Sequence, residues 1–265
     1  MTAIAQDRAP LGTLLREWRQ RRRLSQLDLA LEAGVSARHL SFLETGRSKP
    51  SRDMVLHLAE ELDVPLRDRN RLLLAAGYAP AYGERPFDAP EMQPVRDALE
   101  LVLAGHDPYP AAVVDREWEL LAGNRGLQLL VALAAPAPEL LEPPVNVIRL
   151  SLHPDGVAPR IANLAEWRAH LLERLRRQVT LTADPAVASL LREAEGYPAP
   201  EPEPGYASSD LVVPLRLRTD DHGGLTFLST IATFGTAVDI TVAELAIESF
   251  FPADAHTAEA LRTMV

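Results

Sequence analysis

Apolar residues recur along this chain at two periods, and the change between them divides it. From Leu11 the spacing is helical, with Leu11, Leu14, Leu15 and Trp18 on one stripe. Ser25 is placed to cap a second helix whose apolar positions include Leu27, Ala30 and Leu31. Gly34 supplies a tight turn, because glycine takes positive φ there without steric penalty. Val35 then wedges between two helices, and Ser36 caps a third, which buries Leu40 and Leu43 and ends before Gly46. Two more helices are expected over Arg52–Leu62 and Leu66–Ala76, the latter stopping at Gly77. The stretch that follows, with Pro80, Pro86, Pro90 and Pro94, reads as a linker.

Beyond the linker, helical and alternating patterns mix. Val95–Ala104 has helical spacing, and two short strands, Ala111–Val114 and Glu117–Ala122, flank Asp115-Arg116. Asn124 caps a helix through Leu133, followed by a proline-rich loop over Ala134–Pro144. The longest expected helix is Leu164–Val179, with Trp167, Leu171, Leu172 and Leu175 on one face; Asp184-Pro185 opens another that runs to Glu195. A loop over 196–209 contains Pro198, Pro200, Pro202 and Pro204. Leu211, Val213, Leu215 and Leu217 alternate, as do Leu225, Phe227, Ser229 and Ile231, with His222-Gly223-Gly224 as the turn of a hairpin. Thr241–Phe251 and Thr257–Thr263 are expected as closing helices. The class is α+β: a flexible start over 1–10, an all-α five-helix unit over 11–78, a linker over 79–94, and a mixed domain over 95–265.

The segment 24–50 carries the most chemistry. Its third helix buries one side and shows Ala37, Arg38, His39, Ser41 and Phe42 on the other, the shape that fits a DNA major groove. These residues resemble the phage-repressor-like helix-turn-helix family, the XRE family. The likeness lies in Leu24-Ser-Gln, Ala33-Gly-Val-Ser36, Leu40, and Leu43-Glu-Thr-Gly-Arg47 with Pro50 beyond. It implies double-stranded DNA as a partner. By position, Gln26 would reach a phosphate, helped by the helix N-terminus. Ser36, Ala37, Arg38, His39, Ser41 and Phe42 match the reading region, and Arg38 suits guanine O6 and N7. Phe42 either touches a thymine methyl or packs inward, and His39 meets phosphate or solvent. Arg47 and Lys49 match phosphate partners, while Glu44 matches a position that ties the domain together. The Arg21-Arg22-Arg23 run is either a solvated helix end or a backbone contact.

Charge sharpens this division. Residues 1–80 hold 13 basic against 10 acidic side chains, and the remainder 14 against 27, so a net of +3 is followed by −13. The acidic part would repel phosphates and should not lie on DNA. With no cysteine, the chain holds no disulfide framework, thiol nucleophile or zinc finger. Neither an apolar leader pattern at the start nor a membrane-length apolar run is present, so the expectation is a cytoplasmic protein with no membrane partner.

Within the second domain, Pro110–Asn124, Asn146-Val-Ile-Arg-Leu150 and Ala165-Glu-Trp-Arg168 resemble the ligand-binding domain of MmyB-like transcription regulators. That resemblance implies a PAS-like fold, one sheet with helices on one face, around an apolar pocket for a fatty-acid-like effector. Candidate lining residues are Leu129, Leu133, Ile148, Leu171, Leu175, Leu191, Phe227 and Ile231. Arg149, Arg160 and Arg168 are candidate partners for an acidic head group. No nucleophile, metal-ligand or phosphate-loop motif is present, so the chain does not read as an enzyme, and no cofactor or metal is expected. This resemblance covers about residues 95–235, and it assigns no role to the segment from Ala232 onward. Operator logic and family habit point to a homodimer on a palindromic site. The rival reading makes the acidic half a protein-interaction module without a ligand.

Overall fold

The computed structural model describes residues 10–200, 212–220 and 223–264. The start before residue 10 expected to be flexible, Pro202 and Pro204 of the expected loop, Leu211 of the expected strand and His222 of the expected turn lie outside the described residues. The chain forms two compact units, one built on the residues up to Glu84 with Thr180–Thr182 and Val238–Ile240, the other on the remainder.

The first unit holds α1 (Leu11–Arg21), α2 (Gln26–Glu32), α3 (Ala37–Glu44), α4 (Arg52–Glu61) and α5 (Leu66–Ala75). Local chemistry sets the boundaries. Ser25 and Asp28 form a reciprocal capping box at the start of α2, and Ser36 Oγ accepts from the His39 backbone N–H at the start of α3. Gly34 takes φ +63° between them. Leu15, Trp18, Leu29, Leu40, Leu43, Leu58 and Leu72 form the core. One expectation needs correcting: Leu27 and Leu31 are 59% and 73% exposed. At 100° per residue they share the face opposite Leu29 and Ala33, and that second face is the one buried.

The proline-rich stretch is tied down at both ends. Asn70 Oδ1 accepts from the backbone N–H groups of Ala81 and Tyr82 at 2.8 and 3.1 Å. Further on, Phe87 packs against a small core of the second unit, and Arg96 donates to the Ala89 carbonyl at 2.9 Å.

The second unit is built on a five-stranded antiparallel sheet of β1 (Ala111–Val114), β2 (Leu120–Gly123), β3 (Leu215–Arg218), β4 (Gly224–Thr233) and β5 (Ala246–Pro252), ordered β2-β1-β5-β4-β3. The expected hairpin forms, with Leu215 opposite Phe227 and Leu217 opposite Leu225. Also present are α6 (Gln93–His106), α7 (Arg125–Ala134), α8 (Val147–Leu152), α9 (Leu164–Thr182), α10 (Pro185–Gly196), α11 (Ile240–Ala243) and α12 (Ala255–Met264).

Strand alternation sorts the sheet's two faces. Ala112 and Val114 join Trp167, Leu171 and Leu175 of α9 and Leu190 of α10 in the main core. Ala111, Val113 and Ile247 face the other way, onto Leu99 and Leu103 of α6. Helices therefore cover both faces, not the one expected. The helix expected over Thr241–Phe251 is a second correction: one turn of helix, α11, precedes strand β5. β5 pairs with β1 on one side and β4 on the other. Its buried residues, Ile247 and Glu248, are adjacent and so face opposite sides, which leaves no clean alternation, and tertiary pairing overrides its helical spacing.

Candidate DNA-reading face and effector cavity

The reading helix α3 is held from beneath. Glu44 at its C-terminal end is buried and accepts from Arg19 twice, at 2.6 and 2.9 Å, from Gln26 Nε2 at 2.8 Å and from Arg16 at 3.5 Å. Burial works to raise the Glu44 carboxyl, but the hydrogen bonds from Arg19, Gln26 and Arg16 and the charge of Arg19 hold it below the usual glutamate value. At the same end of α3, Gly12 of α1 sits against its backbone: a Cβ at that position would lie 2.3 Å from the Glu44 carbonyl oxygen. The result is a close α1–α3 contact with little freedom.

On the outer side of α3, Ser36 and Arg38 are exposed, while Ala37, His39, Ser41 and Phe42 are half-buried. The Arg38 guanidinium lies over the Phe42 ring, 5.3 Å from its centroid. Arg47 and Lys49 are exposed just past the helix, with Lys49 Nζ 5.7 Å from the Tyr78 ring. Gln26 sits at the first turn of α2, its amide nitrogen given to Glu44. Of the arginine run, Arg22 donates to the Leu62 and Asp63 carbonyls at 2.8 and 2.6 Å, closing the end of α4. Its neighbour Arg21 lies over Trp18. Arg21 and Arg22 are thus engaged with the fold, while Arg23 is exposed.

In the second unit an apolar cavity of about 90 Å³ lies between the sheet and α7, α8 and α9. Of the expected lining residues, Ile148 and Leu171 border it. Leu175 and Phe227 are fully buried in the surrounding core, and Leu129, Leu133 and Leu191 are partly buried against it. Ile231 is 41% exposed and borders a different recess. None of the three candidate head-group arginines borders the cavity. Arg149 forks onto Glu193 at 2.6 and 2.9 Å. Glu193 in turn accepts from the Tyr197 hydroxyl, whose pKa burial and that carboxylate push up to about 12. Arg160 forks onto Asp220 at 2.7 and 3.0 Å, and Arg168 caps α10 by donating to the Glu195 carbonyl at 2.8 Å.

Other residues of the lining went unmarked in the sequence. Leu127, Leu130 and Val131 supply the α7 wall, and Glu248 and Phe250 come from β5. The cap at Asn124, whose side chain accepts from Leu127 N–H, fixes the register that turns Leu127 rather than Leu129 inward. Trp167 and Ser151 add a polar spot, the indole N–H donating to the serine hydroxyl at 3.0 Å. Among the described residues Glu248 is the one charged group of the lining, and Arg174 donates to it at 3.1 Å. Reading β5 as a strand would have exposed the signal: Ala246, Glu248 and Phe250 then share a face.

Two families match this division of the chain. The family described as helix-turn-helix matches residues 15–68. The one described as the MmyB-like transcription regulator ligand binding domain matches residues 95–264. RghRB of Bacillus subtilis (strain 168), described as an uncharacterized HTH-type transcriptional regulator, is 30% identical over 116 residues, 43% of this chain and 81% of its own. The clp gene regulator ClgR from Corynebacterium glutamicum is 26% identical, covering 37% of this chain and 90% of that one, with a TM-score of 0.23. An RNA-binding light-oxygen-voltage receptor is 12% identical, covering 96% and 64%, with a TM-score of 0.27. At these TM-scores neither structural likeness bears on the fold. With a helix-turn-helix unit followed by a ligand-binding domain that matches most of the chain, this protein belongs to the MmyB-like transcription regulators.

Proposed function

We propose that α3 reads the major groove of a palindromic operator through Arg38, with Ser36, Ala37, His39, Ser41 and Phe42 around it and Gln26, Arg47 and Lys49 on phosphates. Two copies of the chain bind together, and an apolar, fatty-acid-like effector in the second unit sets their affinity for DNA. The PAS-like character of that unit belongs to the same proposal. One observation carries the effector reading over the rival of a ligand-free docking module: an apolar cavity interrupts the core between the sheet and α7 to α9.

The size of that cavity sets the mechanism. About 90 Å³ holds a few waters, whereas drug-sized ligands occupy pockets of about 300 Å³ and more. An acyl chain therefore enters only when α7 and α8 move off the sheet. Binding is then tied to a change of shape, as a regulator requires, because an effector shifts an equilibrium only by binding one arrangement better than the other. Native mass spectrometry of the purified protein followed by solvent extraction tests this. A dimer carrying a fatty acid that alters operator affinity when added back supports the reading. A ligand-free protein whose operator affinity is unmoved by fatty acids overturns the effector claim and leaves the DNA claim standing.

A further inference from the structure

A second recess opens on the same face of the sheet. It is a cleft of about 280 Å³ bordered by His170, Glu173, Arg174 and Arg177 of α9 and by Ser229 and Ile231 of β4. The α9 residues stand at i, i+3, i+4 and i+7, so they share one side of the helix. Arg174 lies between this cleft and the apolar cavity. It borders the cleft, and its Nη1 donates to Glu248, which borders the cavity. Its guanidinium stacks 4.3 Å from the Trp118 ring centroid.

Two cations here have donors to spare. Arg174 Nη2 is buried and meets no hydrogen-bond acceptor among the described residues. Buried polar atoms are nearly always partnered, so such a nitrogen marks a place where an acceptor is wanted. Arg177, exposed at the rim, makes no hydrogen bond or ion pair among the described residues. The His170 imidazole is held below the usual histidine value by burial and by the charges of Arg174 and Arg177. At neutral pH it stands in the wall as a neutral group with one N–H to give.

We propose that this cleft binds a small carboxylate, held by the guanidiniums of Arg174 and Arg177 and the hydroxyl of Ser229, with its apolar part against Ile231. Guanidinium groups suit a carboxylate because their paired N–H donors match its two oxygens. Glu173 at the edge opposes a second negative charge, which favours a singly charged acid over a phosphate dianion. A carboxylate taking Arg174 Nη2 shares that guanidinium with Glu248, and so acts on the wall of the apolar cavity from outside it. The site stands on its own donors, whether or not the cavity takes an effector.

The test is isothermal titration of the full chain with butyrate, benzoate and inorganic phosphate, at an ionic strength fixed with sodium chloride. Saturable binding of butyrate or benzoate near millimolar, weakened about tenfold in Arg177→Gln and tightened in Glu173→Gln, is the expected result. Arg177 and Glu173 are exposed, so both variants should fold, and circular dichroism checks that they do. Equal binding by wild type and Arg177→Gln, or no saturable heat with either carboxylate, overturns the proposal. Phosphate binding more tightly than benzoate overturns the choice of a singly charged acid.

Discussion

Glu44 shows how one residue serves two ends. It closes a buried ion pair with Arg19 and also fixes Gln26, so the frame beneath α3 depends on its charge. Glu44→Gln leaves Arg19 buried without its counter-charge and should cost about 3 kcal/mol in urea unfolding. The sign with pH follows from the direction of its shift. A carboxyl whose folded pKa lies below its unfolded value stabilises in full above the unfolded value and loses that contribution as pH falls through the folded one. The acid limb of the stability curve should accordingly be shallower in Glu44→Gln. On the outer side, Arg38→Ala should lose about 1–3 kcal/mol on the selected operator and relax preference at one base pair. Arg47→Ala and Lys49→Ala should weaken all DNA alike and lower the slope of log affinity against log salt by about one each. Selection from random duplexes, repeated at several salt concentrations, separates the two behaviours.

At the scale of elements, capping chemistry and turn glycines made the first unit legible. Ser25, Gly34 and Ser36 each act locally, so their effect can be read without knowing what packs on them. The inward face of α2 was not legible, because Leu27 and Leu31 offer a helical stripe as good as the one that is buried. β5 was hidden for a related reason. Its pairing partners, β1 and β4, lie far away in sequence, and nothing local distinguishes Ala246–Pro252 from an amphipathic helix. Missing that strand also hid Glu248 and Phe250 from the cavity lining. The surroundings of the candidate head-group arginines were not legible either: each donates to an acceptor distant in sequence, which spacing along the chain does not reveal. Gly12 gives the element-scale prediction. Gly12→Ala would set its Cβ 2.3 Å from the Glu44 carbonyl oxygen, so α1 and α3 must part. A loss of about 1–3 kcal/mol in thermal unfolding, with weaker operator binding, is expected from such overpacking.

For the molecule as a whole, the central place of β5 in the sheet has a consequence for how the protein is made. Every buried residue of the core that α1 to α5 enclose has left the ribosome once Ala76 is out, so that core can form early. The second unit has no such head start. Until residues 246–252 arrive, β1–β2 and β3–β4 are two separate ribbons with no strand between them, each with an open edge. A chain stopped after Leu245 should therefore partition into aggregates on expression, while one stopped after Glu84 should stay in the supernatant with helical circular dichroism; fractionation of the two checks this. Any premature stop before β5 would thus release a finished DNA reader attached to an unfinished sensor, and the sheet's own incompleteness would remove it.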